Sequence, residues 1–253
     1  MSATTLGRRD LLFASGAVLA GAGAAARAEE KPRRLKFIVV GAHPDDPETG
    51  CGGTMARLAD LGHEVVAAYL TRGEAGIPGT EAADAARIRT AEAEKACEIL
   101  GARPLFLGQV DGATEVNARR YEETRKVLSD EKPDVVLCHW PVDTHRDHRA
   151  AALLTYDAWL SLGRPFALHY YEVMSGHQSQ VFHTTHFVDI GATRQRKHEA
   201  CFAHRSQKIE EAYPNDHGRM EVFRGMEARC DYAEAFVLHP QSPDAPGLPQ
   251  GPA

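Results

Sequence analysis

Cysteine is scarce and poorly spaced for thiol chemistry. Five residues (Cys51, Cys97, Cys138, Cys201 and Cys230) are scattered over 253 positions, odd in number and with no C-x-x-C pair. This excludes a disulfide framework and a thiolate metal site, and leaves most of them as small buried residues. A basic excess is also missing: 29 Lys and Arg stand against 35 Asp and Glu, a net charge of −6 with a pI near 6.1. That balance argues against a nucleic-acid protein. Beyond the N-terminal region there is no second long apolar run, so no transmembrane span is expected in the mature chain. The glycine-rich stretch 72–79 lacks G-x-G-x-x-G, which argues against a dinucleotide site. No internal repeat and no clear linker interrupt the chain.

The N-terminus has the layout of an export signal. Arg8-Arg9 precede Asp10-Leu11-Leu12-Phe13, a small and apolar stretch follows from Ala14 to Ala26, and Ala26-Arg27-Ala28 offers a cleavage point before Glu29. The arginine pair suggests a twin-arginine-type signal peptide over 1–28 and a periplasmic or secreted mature protein. The stretch is rich in Gly and Ala and short for a span, which disfavours an uncleaved anchor. Residues 29–239 read as one domain. The last fourteen residues, 240–253, contain five prolines and are expected to be a disordered tail.

Within the domain, apolar runs alternate with helical periodicity. Strands are expected at 35–41, 63–71, 104–107, 134–138, 167–173, 187–190 and 232–238. Helices are expected at 50–62, 81–100 (closed by Gly101), 118–128, 148–162 and 193–212. Strands alternating with helices imply a Rossmann-like α/β fold with three α/β/α layers and a mostly parallel sheet joined by right-handed crossovers. The loops after Gly41, Leu70, Leu107 and Cys138 then share the carboxyl edge, where open sheets bind ligands. The unusual polar residues lie in those four loops.

The first loop reads A-H-P-D-D-P-E (Ala42 to Glu48), directly behind the apolar run Phe37-Ile38-Val39-Val40-Gly41. His43 and Asp46, three apart on a tight turn, can face one point, and His148 of His145-Arg146-Asp147-His148 can complete a His-Asp-His set. A catalytic zinc takes three such ligands and keeps a position for water; Fe2+ or Co2+ suits the same donors. Asp45 is then spare, and a carboxylate beside an activated water serves as general base. His145 can face the same pocket to stabilise an oxyanion or protonate a leaving amine. Asp147 can orient an imidazole through its other ring nitrogen. The competing reading of Asp45 and Asp46 is a helix N-cap. The remaining histidines, among them His63, His169, His177, His183, His186 and His217, read as surface or strand residues.

A-H-P-D-D-P-E, followed by G-C-G-G-T and later H-R-D-H-R, resembles the LmbE-like (PIG-L) zinc-dependent N-deacetylases. These include the mycothiol- and bacillithiol-pathway sugar deacetylases and the eukaryotic glycosylphosphatidylinositol de-N-acetylase. L-T-R-G-E-A-G (Leu70 to Gly76), Arg89-Thr90-Ala91-Glu92, A-H-R-S-Q (Ala203 to Gln207) and Y-A-E-A-F (Tyr232 to Phe236) support it, so that the likeness runs from Leu35 to Leu238. The resemblance implies His43, Asp46 and His148 as zinc ligands, Asp45 as general base, and His145 as the assisting histidine. It implies that Arg89 and Asp111 hold substrate hydroxyls or carbonyls. Two departures stand out: Arg146 replaces a proline common in relatives, and no tyrosine lies just before His145. The implied activity is hydrolytic removal of an acetyl group from an N-acetylglucosamine-type amino sugar or glycoconjugate, with the oligomeric state left open. The alternatives are a zinc hydrolase of another amide or ester and an inactive exported sugar-binding protein.

Overall fold

Phe37 to Val40 form a central strand because both faces of it are covered. Phe37 and Val39 join a core with Met55, Leu58, Ala93, Ala96 and Ala200. Ile38 and Val40 join another with Leu128, Ala158 and Trp159 on the opposite face. Each such burial contributes roughly 1.5–3 kcal/mol. The computed structural model describes residues 33–244 and 247–249; the expected leader lies outside them. Among the described residues no helix is long and apolar enough to cross a membrane.

In chain order the elements are β1 (Lys36–Gly41), α1 (Asp46–Asp60), β2 (Glu64–Tyr69), α2 (Ala82–Leu100), β3 (Arg103–Phe106), α3 (Ala118–Glu131), β4 (Val135–His139), α4 (Arg146–Ser161), β5 (Ala167–Tyr171), β6 (His186–Asp189), α5 (Arg194–Ala203), a 3-10 turn (Arg205–Gln207), α6 (Ile209–Ala212), α7 (His217–Ala228) and β7 (Ala233–Leu238). The sheet runs β3-β2-β1-β4-β5-β7-β6. Neighbours from β3 to β5 are parallel, whereas β7 is antiparallel to both β5 and β6. Helices α1, α2 and α5 cover one face, and α3 and α4 the other, giving three α/β/α layers. Strand order reverses between β1 and β4, so the loops after these two strands flank the crevice where open sheets bind ligands.

Several boundaries differ from the expectations. Helix α1 begins at Asp46, inside the acidic turn, rather than at Gly50, because Pro47 sits in its first turn and fixes a helical φ. Helix α4 likewise begins at Arg146. The single helix expected over 193–212 is broken at His204, and Lys208 takes a left-handed backbone before α6. Helix α7 was not anticipated: Gly218 and Gly225 punctuate its pattern, although a Cβ on Gly225 would meet the Asp231 carbonyl oxygen at 2.5 Å. The tail is not wholly unstructured. Leu168 N–H donates to Ser242 Oγ at 3.0 Å, and Leu248 is 2% exposed within the core beside α1 and α2.

Candidate metal centre and active site

The turn after β1 is built from its own backbone. Gly41 is needed there, since a Cβ would lie 2.6 Å from Pro47 Cδ. The amides of Ala42 and His43 donate to Asp46 Oδ2 at 3.0 and 2.7 Å. Asp46 therefore closes the turn before α1 and does not cap the helix. Asp45 stands at the N-cap position with φ 117° and makes no side-chain cap hydrogen bond. The capping alternative thus fails for both carboxylates, which are left for other partners.

Asp46 is the hub of the centre. Its Oδ2 lies 3.2 Å from His43 Nδ1 and 3.2 Å from His139 Nε2, and its Oδ1 lies 3.3 Å from His148 Nε2. His148 Nδ1 meets Asp143 Oδ1 at 3.2 Å, which orients its other nitrogen toward Asp46. Asp143 is itself fixed by the His145 amide at 2.7 Å and the Ser179 hydroxyl at 3.1 Å. His43 Nε2 faces Asp111 Oδ1 at 3.2 Å and Asp147 Oδ2 at 3.3 Å. Asp147 is buried, held by the Thr114 hydroxyl and the Gly112 amide, with Oδ2 turned to the His43 ring. His139 stacks flat on His148, with centroids 4.0 Å apart and planes within 4°.

Among the described residues, three overlapping donor sets have their ligand atoms within 4.8 Å of one another: His43, His145 and His148; Asp46, His139 and His148; and His43, Asp111 and Asp147. The expected ligands His43, Asp46 and His148 are spread across the first two. The donors are nitrogen and oxygen only, a chemistry that suits zinc, iron(II) or cobalt(II). The electrostatics fit a cation as well. Burial alone would lower the His43 and His148 pKa values, yet the surrounding carboxylates raise His43 well above normal and His148 to about 9. Burial would raise Asp46, but His148 and His139 hold it well below the usual range. A cation taken by these donors would displace the imidazole protons.

Asp45 belongs to the same cavity but not to this hub. Burial raises its pKa, with Arg89 opposing and Asp46 adding to the rise. Its Oδ2 accepts from Arg89 Nη2 at 2.8 Å, and the same nitrogen donates to the Pro44 carbonyl. His145 accepts the Asp147 amide on Nδ1 at 3.2 Å. In the neutral ring the proton then sits on Nε2 as a donor. Burial, His43 and His148 all lower the His145 pKa, which favours that neutral form.

His43, Asp45, Asp46, His145, His148, Arg89 and Asp111 all line one cavity of about 790 Å³. Arg89 and Asp111, expected as substrate contacts, line the cavity and are engaged within the protein: Arg89 with Asp45, and Asp111 with His43 and the Ala75 amide. Sequence reasoning missed His139 and Asp143. A histidine ending β4 at the sheet's carboxyl edge, and an acid two residues before His145, were the available signals. It also read His217 as peripheral; it lines the cavity, and burial lowers its pKa to about 4.

Comparison with known proteins bears on this geometry. The family model described as "PIG-L: GlcNAc-PI de-N-acetylase" matches residues 38–159. The chain is 33% identical over 196 residues to diacetylchitobiose deacetylase of Thermococcus kodakarensis, covering 70% of this chain and 72% of that protein. The structure of N,N'-diacetylchitobiose deacetylase from Pyrococcus horikoshii superposes with a TM-score of 0.71 at 25% identity, covering 83% of this chain and 87% of that one. GalB, the 4-carboxy-2-hydroxymuconate hydratase of Pseudomonas putida, matches with a TM-score of 0.72 at 22% identity over 87% of this chain and 100% of its own. That last likeness concerns the fold alone. With the matched motif lying on the turn after β1, this chain belongs to the PIG-L, or LmbE-like, family.

Proposed function

We propose that the protein is a metal-dependent N-deacetylase that hydrolyses the acetamide of an N-acetylglucosamine-type amino sugar or glycoconjugate. The observation that carries this is the split between two adjacent acids: Asp46 faces three imidazoles, whereas Asp45 turns to Arg89 and the cavity. A cation held by His43, Asp46 and His148, zinc in the first instance, would when bound polarise the amide carbonyl and acidify water. The chain's own groups then handle the protons. Asp45, whose burial raises its proton affinity, takes the proton from the attacking water. It returns that proton to the amine nitrogen as the C–N bond breaks, releasing acetate and the free amino sugar. His145 Nε2–H donates to the carbonyl oxygen as negative charge develops there. Asp143 and Asp147 hold the rings of His148 and His43 in their working orientation.

The relatives' names, diacetylchitobiose and inositol-linked acetamidoglucose deacetylases, support the choice of sugar class. The expected twin-arginine-type leader, read from Arg8-Arg9 and the apolar stretch behind them, supports a substrate outside the cytoplasm. A spare carboxylate beside the donors has no use in a protein that only binds, which disfavours the sugar-binding alternative. The test is acetate release from N,N'-diacetylchitobiose and N-acetylglucosamine conjugates, set against simple acetate esters, before and after metal removal. Amide hydrolysis abolished by a chelator and restored by zinc supports the proposal. Ester hydrolysis without amide turnover would favour the other hydrolase reading.

A further inference from the structure

The connection from α5 to α7 supplies three residues that line the active cavity, Gln207, Ile209 and His217. It is fastened to the loops on either side. Near its start, the Ser206 amide and hydroxyl donate to the Glu92 carboxylate at 2.8 and 2.7 Å, and the Gln207 side-chain amide donates to the Gly76 carbonyl at 3.1 Å. Near its end, Met220 packs on the loop after β5, where a Cβ on Gly176 would stand 3.3 Å from its Sδ. The His217 ring leans on Tyr213, with centroids 5.2 Å apart, and the Tyr213 hydroxyl donates to Glu221 at 2.7 Å. Burial, with Lys197 adding and Asp216, Glu221 and Asp46 opposing, lowers the His217 pKa to about 4, so the ring is neutral near pH 7. Its Nδ1 is buried and has no hydrogen-bond partner among the described residues. A proton there would be shut away from every such acceptor, so the neutral ring carries it on Nε2. His217 thus brings an uncharged donor to the cavity, and none of the proton transfers given to Asp45 and His145 uses it.

The rest of the cavity indicates what that donor meets. Strands β2 and β3 lie to one side of β1 in the sheet, and β4 and β5 to the other. Ala75, Gly76 and Asp111 come from the loops after β2 and β3, whereas Val173 and Gln178 come from the loop after β5, on which α7 packs. Val173 and Ile209 are the large aliphatic side chains that line the cavity. Aliphatic surface with one uncharged donor suits the C–H face and the oxygens of a sugar ring. The volume of about 790 Å³ is also more than one pyranose ring fills.

We propose that His217, with Ile209 and Val173, is a specificity-determining contact for a second polyhydroxylated ring joined to the acetamidosugar, donating from Nε2 to one of that ring's oxygens. This rests on the deacetylase reading. The first ring must bring its acetamide to Asp45 and the His43–Asp46–His148 centre, and the ring beyond it meets the wall that carries His217. A free monosaccharide leaves that wall unused.

The test is steady-state acetate release from N,N'-diacetylchitobiose and from free N-acetylglucosamine by zinc-loaded wild type, His217→Ala, His217→Phe and His217→Gln. The quantity read is the ratio of the two kcat/KM values. Both sugars are hydrolysed by the same folded, metal-loaded fraction, so a variant that folds poorly lowers both values and leaves their ratio alone. Wild type is expected to favour the disaccharide. The ratio should fall about tenfold in His217→Ala, as for the loss of one neutral hydrogen bond. It should fall as far in His217→Phe, which keeps a ring and loses the donor. His217→Gln, whose amide nitrogen can stand near the place of Nε2, should recover part of it. An unchanged ratio in His217→Phe would overturn the proposal however far the separate values fall, as would a wild type that shows no preference. Acetate released from neither sugar by the zinc-loaded wild type would take away the deacetylase reading itself, and the proposal with it. An active wild type beside unchanged ratios in the variants removes only the role of His217.

Discussion

Two clusters of buried charge meet helix α1, one at its first turn and one along its middle, and only the first opens to a cavity. At the middle, Lys197 packs against Gly52, pairs with Glu234 at 2.7 Å and reaches Glu221 at 3.5 Å. Glu234 accepts the amides of Gly53 and Thr54 at 2.9 and 2.8 Å. Glu221 accepts from Arg194, Tyr213 and His198. Lys197, Glu221 and Glu234 are all 0% exposed, and every carboxylate oxygen among them has a partner. At the first turn, by contrast, a half-buried Asp45 borders the cavity and His139 Nδ1 has no partner among the described residues. Buried charge alone does not mark an active site. What distinguishes one is charge arranged around space that a ligand can fill.

Breaking the sealed cluster should cost the most. Lys197→Met strands two buried carboxylates and is expected to destabilise the fold by about 3–5 kcal/mol in urea unfolding. The kcat of the remaining folded protein should be unchanged. A loss of kcat without a loss of stability would erase the contrast between the two clusters.

Acid acts on the same cluster. Burial would raise the Glu221 pKa, but Lys197 and His198 charges and the Tyr213 hydroxyl bring it down to about 2. Its ionised form therefore contributes stability that is present above the unfolded value of 4.5, and that contribution is lost as pH falls toward about 2. In Lys197→Met that part of the acid dependence should flatten. An unaltered slope between pH 5 and 2 would mean that Lys197 does not hold Glu221 down.

The open cluster should respond in metal affinity rather than in stability. Asp143→Asn removes the carboxylate behind His148 Nδ1, and zinc affinity should fall about 10–100-fold by chelator competition. An unchanged affinity would show that His148 needs no such support.

The contrast also explains which parts of the molecule were legible in sequence. The strands of the parallel core were plain because burial on both faces writes continuous apolar runs, as in Phe37 to Val40. The first motif was legible because H-P-D-D behind such a run has few structural uses. His139 and Asp143 escaped because their roles depend on Asp46 and His148, which lie far away along the chain. Lys197, Glu221 and Glu234 escaped for the same reason: each reads as a surface charge on its own helix or strand. Helix α7 was hidden by its glycines, and the packing of Leu248 by the prolines around it.

Both readings of α1's first turn meet in one measurement: acetate release by wild type and Asp45→Asn, each stripped of metal and then titrated with zinc. Both proteins should take up zinc with similar affinity, because the carboxylate removed is not among the expected ligands. Only the wild type should turn over at full rate, with the variant lower by about 10²–10⁴-fold. Zinc-loaded Asp45→Asn hydrolysing the acetamide at the wild-type rate would contradict the division of labour between Asp45 and Asp46.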